Sequence, residues 1–337
     1  SVTGDQAAMP VYDYQNVVLN VNFEEGEPPK GLAYDESGFS SLNNDVMNLL
    51  NDRGIKVTNS GENSFQLRMT NATTIQNLEL SRGTWEIVLN GSNVLKGKGK
   101  GFSGCGLRIN DYVSATIKAE TASASLTVKN SPTKRTSDDA SSAIVVAGSL
   151  TIESGTIEAA AYAEQNSDPV SGAIVVQSNG TLNISGGSVT AAGTHKNGVY
   201  VRNFQMTGGS LTVTGSGKPG IENVGSFELS GGTISTNGGP GFLQRGGTAT
   251  IQAKELNTDR LYINGNSSFT VAKGGKVTSG STIIDSGTLT NAGEFVLNGA
   301  FEKGKYGTFI NNGTISGTGS LPDGVKQIPD NITVYKA

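Results

Sequence analysis

The chain has 337 residues, of which 47 are glycine, 16% are charged and 6% are aromatic, and its formal net charge is −4. Glycine is about twice its average usage and charge falls below the usual quarter, the balance of a turn-rich chain with a thin aliphatic core. A mildly acidic chain without a basic stripe excludes nucleic acid as the main partner. No segment approaches twenty apolar residues, which leaves no membrane-spanning helix, and the single cysteine, Cys105, leaves no intrachain disulfide.

Residues 1–63 do not repeat and are expected to form an N-terminal capping segment. Val17, Leu19, Val21 and Phe23 alternate, which predicts a strand with one buried face. An acidic loop, Glu24 to Pro29, follows. Leu42, Val46, Leu49 and Leu50 then stand at i, i+4, i+7 and i+8, the stripe of one amphipathic helix. Ser40 or Ser41 is its expected N-cap and Gly54 its C′ residue. A helix here is expected to cover the open end of the structure that follows rather than to bind a partner.

Residues 64–321 carry a repeated phrase. It reads Ile184-Ser185-Gly186-Gly187-Ser188-Val189-Thr190, then Met206-Thr207-Gly208-Gly209-Ser210-Leu211-Thr212, then Leu229-Ser230-Gly231-Gly232-Thr233-Ile234-Ser235. The second glycines are 22 and 23 residues apart. A degenerate copy stands at Ile152–Glu158, and looser ones follow around Gly275, Gly293 and Gly313. Leu80-Ser81-Arg82-Gly83-Thr84-Trp85 has the same shape upstream. Apolar residues alternate on both sides of the glycines, so each phrase is read as two short strands meeting at a sharp corner. A third apolar run precedes each phrase: Ala143–Val146, Ala173–Val176, Gly198–Val201 and Gly220–Asn223.

Three short strands per period of this length predict one coil of a parallel β-helix, an all-β solenoid of about a dozen coils. A β-sandwich or a row of small β domains also has short strands and glycine-rich turns. The solenoid is favoured because the phrase recurs at coil length, not at domain length. Residues 322–337, with Pro322, Pro329 and the run Ile332 to Tyr335, are expected to close the far end.

Candidate sites are sparse. His195 is the only histidine and lies in a polar turn, so multi-histidine metal sites and two-histidine catalysis are excluded. Asp138-Asp139 is the only adjacent carboxylate pair in the repeats, but it sits in a charged loop without the Gly-His-Gly and Arg-x-Lys partners of β-helix polygalacturonases. Asp168, Asp259 and Asp285 are spread over several coils, too scattered for a calcium site. Gly99 to Gly104 matches G-x-G-x-x-G, but a strand-like run follows it instead of a helix, so it is read as a turn, and Lys96, Lys98 and Lys100 as a solvated loop. Cys105 has no neighbouring base to activate it. No metal, cofactor or catalytic residue is assigned, and no pattern assigns an oligomeric state.

Ligand-binding candidates are Tyr162, Glu164, Asp168, Tyr200, Arg202, Arg245 and Tyr262. The tyrosines, with Trp85, offer flat faces to sugar rings. Arg202 and Arg245, 43 residues apart, are placed two coils apart on one face as part of an anion or sugar-acid groove. Glu164 and Asp168 lie in the longest insertion, Ala159 to Ser171, which stretches one period to 32 residues and is the first choice for a binding loop.

The copies at Ile184–Thr190, Met206–Thr212 and Leu229–Ser235 resemble the Ile-Ser-Gly-Gly-Thr-Ile-Thr phrase of bacterial exported right-handed parallel β-helix proteins, a group that includes carbohydrate-binding-domain and adhesin-like chains. The resemblance covers the middle third well, the last third loosely and the N-terminal part hardly at all. It implies a right-handed helix, export, an extracellular or cell-surface location, and contact with polysaccharide or host cell-surface glycan; the Asn-, Thr-, Ser- and Gly-rich composition favours an exported chain whose leader has been removed over a cytosolic one. It carries no catalytic residue onto this chain. The expected function is therefore a non-enzymatic surface or secreted adhesin-like protein; the alternative is a polysaccharide lyase or glycoside hydrolase with a divergent site.

Overall fold

The doubled glycines act as corners for two separate reasons. Gly187, Gly209 and Gly232 adopt φ of +74°, +75° and +80°, where an L side chain is strained. Their partners Gly186, Gly208 and Gly231 pass so close to the preceding circuit that a Cβ would stand 2.1–2.3 Å from a carbonyl oxygen. Each corner thus rests on the one before it, and the second glycines form a column from Gly155 through Gly187 and Gly209 to Gly232.

The computed structural model describes residues 17–23, 30–35, 38–41, 45–98, 105–131, 142–162, 172–177, 179–321 and 333–335. It is an all-β structure of stacked parallel strands in three ladders. The first ladder runs through Asn77–Leu80, Leu107–Ile109, Ile144–Val146 and Gly172–Val176, then residues 199–201, 221–223, 242–244, 261–263, 282–284 and 301–303. The second begins at Ser64–Thr70 and Gly83–Asn90 and ends at residues 308–311. The third runs from Ser92–Lys98 to Thr314–Ser316. Successive circuits visit the three ladders in constant order and land one rung further on. Ten parallel pairings in the second ladder join eleven strands among the described residues.

Register places like residues over like. In the second ladder Trp85, Ala115, Leu150, Leu182, Phe204 and Phe227 share one inward column that continues to Phe269, all nearly or fully buried. Rungs are about 4.8 Å apart, so neighbouring side chains are in contact, and burying each large one contributes roughly 1.5–3 kcal/mol. Phe204 and Phe227 stack at 4.4 Å. Ala249 takes the next place in the column, and its small side chain leaves room for Phe242 from the first ladder, which lies edge-on to Phe227 at 5.0 Å and to Phe269 at 5.6 Å.

Where inward positions turn polar, the amides are bonded to one another and to the corners. Asn291 Nδ2 donates to Asn311 Oδ1 at 2.7 Å and to Thr314 O at 3.0 Å. Asn223 Nδ2 donates to Gln244 Oε1 at 2.9 Å, and Gln244 Nε2 to Gly246 O at 2.7 Å. Buried amides are tolerated in this core because the pairing is complete at these atoms.

Both ends of the stack meet antiparallel strands. Val17–Asn22 pairs antiparallel with Asn77–Leu80 and with Lys30–Asp35, and Ile55–Gly61 pairs antiparallel with Ser64–Thr70. One helix, Val46–Asp52, packs on these strands through Val46 and Leu50. Its N-cap is Asp45, not Ser40 or Ser41: Asp45 Oδ1 accepts from Asn48 N at 3.2 Å, while Ser41 Oγ accepts from Val46 N. Gly54 follows with φ +77°, as the C′ position requires. Thr333–Tyr335 pairs antiparallel with residues 309–311. Leu42 and the acidic loop from Glu24 to Pro29 lie outside the described residues.

Two further expectations change. Gly83 turns from the first ladder into the second, whereas Gly187 and its column turn from the second into the third, so the Leu80 phrase marks a different corner. Lys96 and Lys98 lie on the strand Ser92–Lys98 rather than in a loop.

Candidate functional site

On the last six first-ladder strands the middle residues fall in one row: Tyr200, Glu222, Leu243, Tyr262, Ile283 and Glu302. Two residues further along the chain come Arg202, Val224, Arg245, Asn264 and Asp285, with the ladder shifting register at Arg202 and at Asp285. Arg202 and Arg245 follow first-ladder strands two circuits apart. An open cleft of about 320 Å³ crosses these positions, lined by Asn197, Lys218, Pro219, Glu222, Leu243, Arg245, Tyr262 and Asn264.

Glu222 organises the cleft. It is nearly fully buried, and both carboxylate oxygens are engaged: Oε1 accepts from Arg245 Nη1 at 2.8 Å and Oε2 from Asn197 Nδ2 at 3.0 Å. The Arg245 side chain remains 55% exposed. The hydrogen bond to Glu222, and then the charge of that carboxylate, hold the guanidinium above its already high pKa. Tyr262 is half-buried on the cleft wall, and its phenol is raised by burial first and by the Asp285 charge second. Tyr200, one rung before Glu222, is only 5% exposed, so its ring offers no open stacking face; burial raises its phenol as well.

Of the seven binding candidates, Arg245 and Tyr262 line the cleft, and Arg202 and Tyr200 lie outside its lining, one circuit before Glu222. Tyr162 is 41% exposed and lies at the end of a third-ladder strand, outside the cleft lining. Glu164 and Asp168 lie outside the described residues, as do Asp138, Asp139 and Gly99 to Gly104. Trp85 is in the core, its Nε1 donating to Arg82 O at 2.8 Å. Cys105 is buried, and desolvation pushes its thiol up to about 12, so it is no nucleophile at neutral pH.

Glu222, Lys218 and Asn197 complete the site and were not among the candidates. The signal for Glu222 was its offset of 22 residues from Tyr200, the repeat period itself. Among the described residues no group of three His, Cys, Asp or Glu side chains is placed to hold a metal ion.

Other outward faces differ in character. Cross-rung ion pairs tie Lys118 to Glu86 and Glu153, and Lys276 to Glu255 and Glu294. These are partly exposed pairs of small energetic weight. On the third ladder, Ser188, Ser210 and Thr233 align beside Thr190, Thr212 and Ser235, forming a mostly exposed hydroxyl surface without charge. In comparisons with known proteins, no family model, no curated protein and no solved structure matches the chain.

Proposed function

We propose that the three ladders wind as a right-handed, single-chain parallel β-helix, and that the protein is a non-enzymatic, exported bacterial surface or adhesin-like protein that binds polysaccharide along the first-ladder face. The observation that carries this reading is the cleft around Glu222. An aromatic wall at Tyr262, an apolar floor at Leu243 and polar groups at Asn197, Lys218, Arg245 and Asn264 suit a sugar ring, with its apolar CH face and hydroxyl rim. The rows repeat about every 4.8 Å, so an extended polymer finds several such contacts along one face. The uncharged hydroxyl surface of the third ladder is compatible with display at a wet cell surface.

A second reading, a lyase or glycoside hydrolase, draws on the same cleft because a carboxylate, an arginine and a lysine meet there. The chemistry favours binding. Glycosidases commonly use two carboxyl groups roughly 5–9.5 Å apart, and the lining contains one, already taken up by Arg245 and Asn197. Arg245, held more firmly protonated by Glu222, is a poor proton acceptor. The test is an array of plant, host and bacterial polysaccharides scored for retention and for release of reducing or unsaturated ends. Retention without new ends is expected; new ends favour the enzyme, and no retention overturns the glycan reading.

A further inference from the structure

We infer that the cleft seats a carboxylated sugar of a glycan, an assignment that rests on the glycan-binding reading and narrows it to acidic polymers. The chain as a whole carries a net charge of −4, yet this cleft collects cations. Lys218 and Arg245 both line it; beyond the lining, Arg202 lies two circuits to one side of Arg245 and Asp285, whose charge reaches Tyr262, two circuits to the other. Glu222 is the single carboxylate of the lining, and it is withdrawn from any ligand: nearly buried, with one oxygen on Arg245 and the other on Asn197.

What the cleft presents is therefore donors and positive charge. The Arg245 side chain commits one Nη1–H to Glu222 and makes no other side-chain hydrogen bond among the described residues, so most of its five donors stay available. Glu222 fixes the guanidinium in place, and a fixed planar guanidinium matches a carboxylate. The Lys218 side chain has no acidic partner among the described residues and adds a second positive charge to the same cleft. Asn197 is also buried; with Nδ2 held on Glu222, its Oδ1 is left without a partner, a buried acceptor that a hydroxyl donor would satisfy. Carboxylate, hydroxyl and an apolar ring face for Tyr262 occur together in a uronic or sialic acid residue. A neutral hexose supplies the last two and leaves the cations unmatched.

The experiment uses the whole chain and three acidic polymers, polygalacturonate, polymannuronate and polysialic acid. Each is compared by titration with its carboxyl-reduced form, alongside a panel of neutral glycans. The expected result is that at least one acidic polymer binds tenfold or more tighter than its reduced form. That difference shrinks with added salt, falls several-fold in Lys218→Met and is abolished in Lys218→Glu. Thermal melts of both variants, expected within a few degrees of the parent, separate lost contact from lost fold. If a reduced or neutral polymer binds as well as the acidic ones, the acidic-sugar assignment fails and the glycan reading stands. If no polymer of either kind binds, both fail.

Discussion

Arg245 Nη1 donates to Glu222 Oε1 at 2.8 Å across one rung of the first ladder, where Glu222 is directly paired with Leu243. The carboxylate is nearly buried and the guanidinium half exposed, so the two are not equivalent to remove. Arg245→Ala strands a buried charge and is expected to cost about 1–3 kcal/mol. The double variant Glu222→Gln, Arg245→Gln keeps a neutral hydrogen bond and is expected to stay within about 1 kcal/mol of the parent. Urea unfolding of the three proteins reads the difference; equal loss in the single and double variants would contradict the pairing.

The glycine column makes a sharper demand. In Gly209→Ala the new Cβ meets Gly187 O at 2.6 Å with φ held at +75°. Strain of about 1–3 kcal/mol is expected from the backbone conformation alone, with the clash in addition. A lower thermal midpoint should follow, and an unchanged one would mean that the corner does not rest on the preceding circuit.

Packing around Ala249 is equally specific. Phe242→Ala empties the space between Phe227 and Phe269 and is expected to cost about 3–5 kcal/mol. Ala249→Leu overfills the same space at about 1–3 kcal/mol. Combining the two should cost less than their sum, since the added side chain partly refills the cavity; strict additivity in denaturant melts would show the sites to be independent.

Cys105 predicts an alkaline weakness. Burial raises the folded thiol to about 12, above its unfolded value, so the folded state holds its proton longer than the unfolded state does. Its contribution is therefore fully present below about pH 9 and declines by roughly 1.4 kcal/mol per pH unit between about pH 9 and 12. Cys105→Ala removes this slope. The parent-minus-variant difference in unfolding free energy should shrink from pH 8 to pH 10.5, where other titrating groups cancel; a constant difference would contradict the buried thiol.

How much of this was legible in the chain differs from residue to residue. Gly186-Gly187 and its copies were readable because only glycine meets both demands of the corner, a positive φ and a carbonyl at 2.1–2.3 Å, so the same letters recur on successive rungs. Arg202 and Arg245 could be placed after strands of one ladder because their separation is two periods. The Leu80 phrase misled because an apolar–glycine–apolar run marks any corner and does not say which ladders it joins. Trp85 was weighed as a sugar platform although Ile87 and Leu89 follow it at two-residue intervals, the alternation that turns all three inward. Glu222 was read only as part of a strand. Its role emerges once Asn197 and Arg245, 25 residues before and 23 after it, are brought within 3.0 Å by the stacking.

The central claim is that glycan binds at the Glu222 cleft, and paired substitutions of two tyrosines on different ladders test it most directly. The measurement is affinity for a retained polysaccharide in Tyr262→Ala and Tyr162→Ala, each checked for an unchanged melt. The cleft predicts about a tenfold loss in Tyr262→Ala, corresponding to the ~1.4 kcal/mol scale of one aromatic contact, and full affinity in Tyr162→Ala. Loss confined to Tyr162→Ala, with Tyr262→Ala binding like the parent, would move the site to the third ladder and contradict the account.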